Sequence, residues 1–211
     1  MYRLRELCRE DLATINEWRN DSELISMLGA PFRFINVEVD ERWYETYMSS
    51  RNNTIRCAIT TDDSDDILGL VSLTNIDYLN QSAVFHIMIG SEASRGHGAG
   101  TYAVNAMLYH AFYNMNLHRV ELTILESNLR ARHVYEKCGF RYEGRKRSAV
   151  YKNGCFVDML QYSILKSEFL ETMQNSDTLG HSGGGIGRTY IKTNCLYFVF
   201  FRHTAKLSKT A

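Results

Sequence analysis

The sequence is poor in the features that mark several protein classes. Among its 211 residues there is one proline, and its five cysteines are scattered without a C-x-x-C pair. Isolated cysteines in an odd number predict neither a disulfide framework nor a zinc site, so we expect a reducing, cytoplasmic location and no metal. The sequence has no apolar run of roughly 18 residues for a membrane span. Its charged start, Met1-Tyr-Arg-Leu-Arg-Glu, has no signal-peptide core.

The chain also lacks an excess of charge of either sign. It has 24 Lys+Arg and 24 Asp+Glu, which gives a formal net charge of zero. Binding nucleic acid or an anionic membrane through bulk charge needs a basic surface. We therefore expect neither partner, and any anionic ligand must be held locally. The length suits one domain, or one domain with an appendage.

Hydrophobic spacing predicts a mixed order of helices and strands. We predict strands at 2–7, 55–60, 68–76, 83–89, 120–124, 140–150 and 155–164, and helices from 11 onward, at 22–28, at 39–48, from 98 onward and at 128–138. The step Asn153-Gly154 favours a hairpin turn between the last two strands. The acidic run 62–66 lacks the glycine and terminal Glu of an EF-hand loop, so we interpret it as a hairpin tip.

A glycine-rich turn, residues 95–100, connects the strand at 83–89 to the long helix. Glycines let backbone N–H groups approach an anion, and a helix N-terminus adds unpaired donors and a favourable dipole. A Walker loop needs Gly-Lys-Ser/Thr, which does not follow Gly100, and the dinucleotide fingerprint needs glycine where Thr101 stands. The turn therefore indicates a different phosphate-binding loop, or a tight turn without a ligand.

Two motifs together resemble the GNAT N-acetyltransferases. The pattern Arg95-x-x-Gly98-x-Gly100 is similar to the acetyl-CoA loop of that family, and residues 128–144 are similar to its second motif, N-x-x-A-x-x-x-Y-E-K-x-G-F-x-x-E-G. Their order and spacing are more specific than either motif alone. The resemblance covers about residues 2–171 and points to the RimJ/RimL-type branch.

This resemblance implies an α+β GNAT fold. We expect a twisted mixed sheet of six to seven strands, flanked by helices and splayed between its fourth and fifth strands, where acetyl-CoA lies as the acetyl donor. Residues 1–171 would form the acetyltransferase domain. Residues 172–211, a Gly/Ser-rich linker and a short apolar segment at 195–201, lie outside the resemblance. Four roles are open for the segment 195–201: an added strand, the cover of an apolar surface, part of a dimer contact, or a terminus without function.

The resemblance also implies which residues hold the donor. Backbone N–H groups of the glycine loop would bind the pyrophosphate, and the strand edge at Met88 and Ile89 would pair with the pantetheine amides. Asn128 matches an asparagine that contacts the cofactor arm, and it also suits the cap of the following helix. The loop residues concerned are Arg95, Gly96, His97, Gly98, Ala99 and Gly100.

For catalysis, Tyr135 matches the general acid of the family, which protonates the departing thiolate of CoA. A core tyrosine is the alternative. Many relatives have a glutamate base on the fourth strand, and Val84 takes that place here. His86 faces the same way as Val84 by strand alternation, and an imidazole with a pKa near 6.5 accepts a proton at neutral pH. A histidine that is only hydrogen-bonded structure is the alternative.

The function implied is acetyl-CoA-dependent N-acetylation of a primary amine, in a monomer or homodimer. The acceptor would be a protein N-terminus, a polyamine or a similar small amine, lined by Trp18, Arg19 and Trp43. Because Trp18-Arg19-Asn20 is similar to amino-sugar acetyltransferases, a nucleotide amino sugar is an alternative acceptor. The missing glutamate adds another alternative, a non-catalytic acyl-CoA-binding module.

Overall fold

The computed structural model describes residues 1–90 and 92–178, and within them the chain forms seven β-strands and six α-helices. The strands are β1 (Tyr2–Glu6), β2 (Ile55–Thr61), β3 (Ser64–Asp77), β4 (Ser82–Ile89), β5 (Arg119–Leu125), β6 (Arg141–Lys152) and β7 (Cys155–Leu165). The helices are α1 (Leu12–Asn20), α2 (Ser22–Ser26), α3 (Val37–Ser49), α4 (Ala99–Tyr109), α5 (Leu129–Lys137) and α6 (Lys166–Thr178).

All seven strands belong to one sheet in the order β1-β2-β3-β4-β5-β7-β6. The pair β4 and β5 is parallel, and the other pairs are antiparallel. The parallel step requires a crossover, which α4 supplies. The predicted mixed α+β sheet is therefore confirmed, with seven strands.

Local sequence rules account for most of these elements. The apolar stripe of α1 is buried at Leu12, Ile15 and Trp18, as its helical spacing predicts. The turn between β6 and β7 places Asn153 and Gly154 at φ values of 49° and 87°, the positive angles that a two-residue hairpin turn needs. The acidic run forms the tip of the β2–β3 hairpin, and β3 already begins at Ser64.

The two faces of the sheet pack against different helices. On one face, Phe85 of β4 contacts Tyr135 of α5, and α4 packs against α5, β3 and β4. On the other face, Leu70 and Met88 pack against a cluster that includes Trp18 of α1 and Tyr47 of α3. Since side chains alternate along a strand, Val84 and His86 lie on the face of Met88.

The chain divides into two units, residues 1–166 and 167–211. The first contains the whole sheet, and the described part of the second is the body of α6. The apolar segment 195–201 and most of the predicted linker lie outside the described residues, so the boundary at residue 171 stays a prediction. Among the described residues, no helix has both the length and the apolar character needed to cross a membrane.

Candidate active site

The strands β4 and β5 pair along only part of their length. Three residue pairs join them, the last being Val84 with Glu121. Beyond that point β4 continues to Ile89 beside β3, and β5 continues to Leu125 beside β7. The edge of β4 that faces β5 therefore has no strand partner at Met88 within the described residues. The predicted splay is confirmed, and such an edge suits an extended ligand that contains amides.

The glycine loop lies at the end of this gap, where β4 leads into α4. Gly98 precedes the first residue of α4 and has a φ of 94°. Residues with a Cβ atom rarely adopt this left-handed angle, because it is strained for them. Apart from chain neighbours and the backbone of α4 itself, no atom of a described residue would lie within 4 Å of a Cβ atom added at Gly98 or at Gly100. The space in front of the loop is open, and the first N–H groups of α4 have no intrahelical partner. These features fit the binding of a pyrophosphate.

Two predicted loop residues fasten the loop to the sheet. The Arg95 guanidinium donates to the Ile89 carbonyl at 3.2 Å and to the Gly90 carbonyl at 3.1 Å. The His97 carbonyl accepts a hydrogen bond of 3.0 Å from the Tyr2 hydroxyl of β1. The Arg95 side chain therefore holds the shape of the loop, and the Ile89 carbonyl already accepts a hydrogen bond from it. Ligand binding at the loop is then left to the backbone N–H groups.

Arg130 in the first turn of α5 reaches the same loop. Its Nη2 atom lies 3.3 Å from the position of a Cβ at Gly96. The second motif thus contacts the first in space and adds an exposed guanidinium beside the anion-binding backbone. The sequence does not mark Arg130 as a site residue, because the family motif leaves that position unspecified.

Asn128 has two hydrogen-bonding roles. Its side-chain oxygen accepts from the Ala131 N–H at 3.0 Å, which confirms the predicted cap of α5. Its amide nitrogen donates to the Met27 carbonyl at 3.0 Å. Asn128 therefore also holds the segment that follows α2, and its contact with the cofactor arm stays a prediction.

Tyr135 of α5 is buried on the face of the sheet that packs against α4. Its ring centroid lies 6.1 Å from that of Phe85 and 5.5 Å from that of Phe140. Burial raises the pKa of Tyr135 well above its ordinary value. Within residues 1–90 and 92–178, its hydroxyl makes no hydrogen bond. A tyrosine that stays protonated and has an uncommitted hydroxyl suits a proton donor.

His86 lies on the opposite face, where the pairing of β4 with β5 has just ended. Its Nε2 atom is 2.9 Å from the Thr74 hydroxyl. Burial lowers the pKa of His86, and the positive charge of Arg56 lowers it further. The imidazole is therefore neutral at pH 7. In the tautomer whose Nε2–H donates to Thr74, Nδ1 holds the lone pair that can accept a proton.

The residues predicted to line the acceptor site lie on the face of His86, with different degrees of access. Trp18 is buried, and a Cβ at Gly90 would lie 2.0 Å from its ring, so Trp18 closes the end of β4. Arg19 forms an ion pair with the fully buried Asp40. Trp43 is partly buried, and the Arg56 Cζ atom lies 4.7 Å above its ring centroid.

Arg56 is a second site residue that the sequence does not predict. It stands in an alternating stretch that predicts a strand, and no motif marks it. Only the pairing of β2 with β3 and of β3 with β4 places it on the face of His86. Among the described residues, no three His, Cys, Asp or Glu side chains converge as a group of metal ligands.

Comparison with known proteins agrees with this arrangement. The family model of the acetyltransferase (GNAT) domain matches residues 2–141. The spermidine N(1)-acetyltransferase of Vibrio cholerae is 32% identical over 168 residues, which cover 79% of this chain and 94% of that protein. The enzyme of the same name from Escherichia coli K12 is 27% identical, over 80% of this chain and 88% of its own.

The solved structures show the same architecture. A crystal structure of spermidine N-acetyltransferase from Vibrio cholerae in complex with CoA and spermine superposes with a TM-score of 0.75 at 30% sequence identity. The match covers 80% of this chain and 98% of that chain.

Proposed function

This chain belongs to the GNAT acetyltransferase family, and from that membership we infer how its site works. The chain is an acetyl-CoA-dependent N-acetyltransferase that acts on a primary amine. We propose that the transfer takes place in the gap between β4 and β5, with the donor on the backbone of residues 95–100. We also assign the chain to the RimJ/RimL-type branch, on the residues of its second motif.

One observation supports this location above the others. The β4–β5 pairing ends at Val84, and the glycine loop, Tyr135 and His86 border the gap that opens beyond it. The loop backbone with Gly98 and Gly100 would hold the pyrophosphate, because no other part of the described chain fills the space in front of a Cβ placed there. The edge of β4 at Met88 would pair with the pantetheine amides, and Asn128 would contact the same arm.

The two proposed catalytic residues act from opposite faces of the sheet. Bound acetyl-CoA supplies the acetyl group as a thioester. The amine nitrogen bonds to the thioester carbon and loses a proton to His86, directly or through water. The carbon–sulfur bond breaks, and the Tyr135 hydroxyl gives its proton to the departing sulfur. His86 suits its role because it is neutral at pH 7, and Tyr135 suits its role because it stays protonated.

The acceptor enters from the face of His86, beside Trp43 and Arg19. The names of the relatives make spermidine the first acceptor to assay, and a protein N-terminus is the other class typical of the branch. The free thiols of Cys8, Cys57, Cys138 and Cys155 support a cytoplasmic location.

The assay measures CoA thiol release with and without a primary amine, and mass spectrometry checks the amine for one added acetyl group. We expect thiol release that depends on the amine and an acetylated product in equal amount. A protein that binds CoA without any amine-dependent release would instead be a binding module. That second function has one observation in its favour, the presence of Val84 where relatives have a glutamate.

A further inference from the structure

Arg56 of β2 places a positive charge on the acceptor face. Its Nε atom is buried and makes no hydrogen bond to any described residue. Its guanidinium lies 4.7 Å from the Trp43 ring centroid and 5.7 Å from that of Tyr47. No carboxylate of a described residue pairs with it. A half-buried cation without an anion is costly, because it has lost part of its water and gained no opposite charge.

The neighbouring charges do not neutralise Arg56. Arg19, whose charge acts on Arg56, and Arg51, which lies over the same Tyr47 ring, each have a carboxylate of their own, Asp40 and Glu6 respectively. Asp40 accepts a second hydrogen bond, of 2.7 Å, from the Asn16 amide. Burial lowers the pKa of Arg56, and Arg19 contributes to that shift. The guanidinium nevertheless remains charged at pH 7, since arginine titrates far above it.

Strand register places Arg56 in line with the proposed base. Arg56 pairs with Ser72 of β3, and Ser72 pairs with His86 of β4. Two strand spacings of about 4.8 Å separate the Cα atoms of Arg56 and His86, roughly 10 Å in all. The Arg56 charge acts on the His86 imidazole. Both groups are therefore close enough to contact one small molecule.

We propose that Arg56 binds an anionic group of the acceptor, so that the acceptor is a primary amine that also bears a carboxylate or a phosphate. The guanidinium offers two parallel N–H donors that match either oxyanion, and the aromatic rings below it fix its plane. All charged groups of a polyamine are positive, so the Arg56 guanidinium would repel them. This proposal rests on the proposed acetyl transfer, since it assigns the acceptor of the same site.

The first test compares acceptors in matched pairs by CoA thiol release. β-Alanine is set against β-alaninamide, and O-phosphoethanolamine against ethanolamine, with spermidine as the polycation. In one pair, we expect kcat/KM to be at least about tenfold higher for the amine that bears the anionic group than for the amine that lacks it. Tenfold is the scale of a charged hydrogen-bonded contact. The pair that shows the preference distinguishes a carboxylate from a phosphate.

Variants then assign the preference to Arg56. We expect Arg56→Met to lower kcat/KM at least tenfold for the amine that bears the anionic group. For the amine that lacks this group, kcat/KM should change by less than about twofold. Arg56→Lys should restore part of the loss, because it keeps the positive charge. Arg51→Gln is the matched control, because Arg51 also lies over the Tyr47 ring but is paired with Glu6. Equal effects of Arg56→Met on both members of a pair, or a wild-type preference for spermidine, would overturn the proposal.

A binding measurement separates this proposal from the proposed function. The protein has two tryptophans, so its indole N–H signals in a nitrogen-correlated NMR spectrum are few. With CoA saturating the glycine loop, we expect inorganic phosphate or propionate to shift the Trp43 signal in the wild type and not in Arg56→Met. If thiol release depends on the amine but the Trp43 signal does not shift, the proposed acetyl transfer stands and the proposed anion site is wrong. If the signal shifts but no amine causes thiol release, the anion site stands and the proposed acetyl transfer is wrong.

Discussion

Replacing Gly100 with valine tests the donor site without disturbing the fold. Gly100 is the second residue of α4. Its own helix backbone and chain neighbours aside, no atom of the described residues lies within 4 Å of a Cβ placed there. Because Cα–Cβ bonds in a helix tilt towards its N-terminus, the new side chain enters the space in front of the loop. Glycine is itself a poor helix former, so the free energy of unfolding should stay within about 1 kcal/mol of the wild type.

The expected loss of CoA affinity is much larger than any change in stability. A valine at the loop displaces the pyrophosphate from backbone donors that form charge-assisted hydrogen bonds, each worth about 1.5–3 kcal/mol. The loss of two such bonds raises the Kd of CoA by at least about 100-fold. Isothermal titration calorimetry measures the Kd, and thermal unfolding followed by circular dichroism measures the stability.

Gly144 and Gly154 provide the matched controls. Like Gly100, Gly144 has open space at its Cβ position, and Gly144→Val should leave CoA affinity unchanged. Gly98 and Gly154 both have positive φ, 94° and 87°, and both face open space. Gly98→Val and Gly154→Val should each cost about 1–2 kcal/mol in backbone strain, but only the first should weaken CoA. A folded Gly100→Val protein with wild-type CoA affinity would remove the loop from the site.

Four further predictions concern catalysis and the domain boundary. Tyr135→Phe should keep CoA affinity and lower kcat by roughly 10²-fold, measured by thiol release, whereas a purely structural tyrosine would show lost stability with little change in kcat. His86→Gln should remove the fall in kcat/KM towards acid pH, which we expect below pH 6.5 because burial and Arg56 lower the His86 pKa. Arg56→Met should move that fall to higher pH in a protein that retains His86, and a fall that persists in His86→Gln would assign it to another group. A chain ended at Thr178 should fold and bind CoA, and failure to fold would place residues 179–211 in the domain.

Local rules explain why much of this protein is predictable from its sequence. Helical spacing of Leu12, Ile15 and Trp18, a capping Asn128 and the Asn153-Gly154 turn all act within a few residues, and each appears where it is predicted. The two motifs likewise identify the family, since their spacing is a property of the chain alone. The predicted ends of elements shifted by a few residues, as with β3, because tertiary pairing extends a strand beyond its apolar stretch.

Local sequence rules do not predict contacts between residues that lie far apart in the sequence. The Asn128 amide binds the carbonyl of Met27, which is 101 positions away, and Arg130 approaches Gly96 of the other motif. Neither residue type nor spacing specifies such partners. The side-chain direction of Arg95 was equally unpredictable, because its acceptors are carbonyls that become accessible only where β4 ends.

The sequence by itself determined the fold class, the family and the reaction, because motif residues and hydrophobic periods are encoded locally. Only the tertiary structure decided what the acceptor face presents to a substrate. Arg56, Ser72 and His86 belong to three strands, and they form one row because the registers of two antiparallel pairs align them. A change of register by one residue would turn Arg56 to the opposite face, so its position beside the base follows from strand pairing and from no feature of its neighbours in the chain.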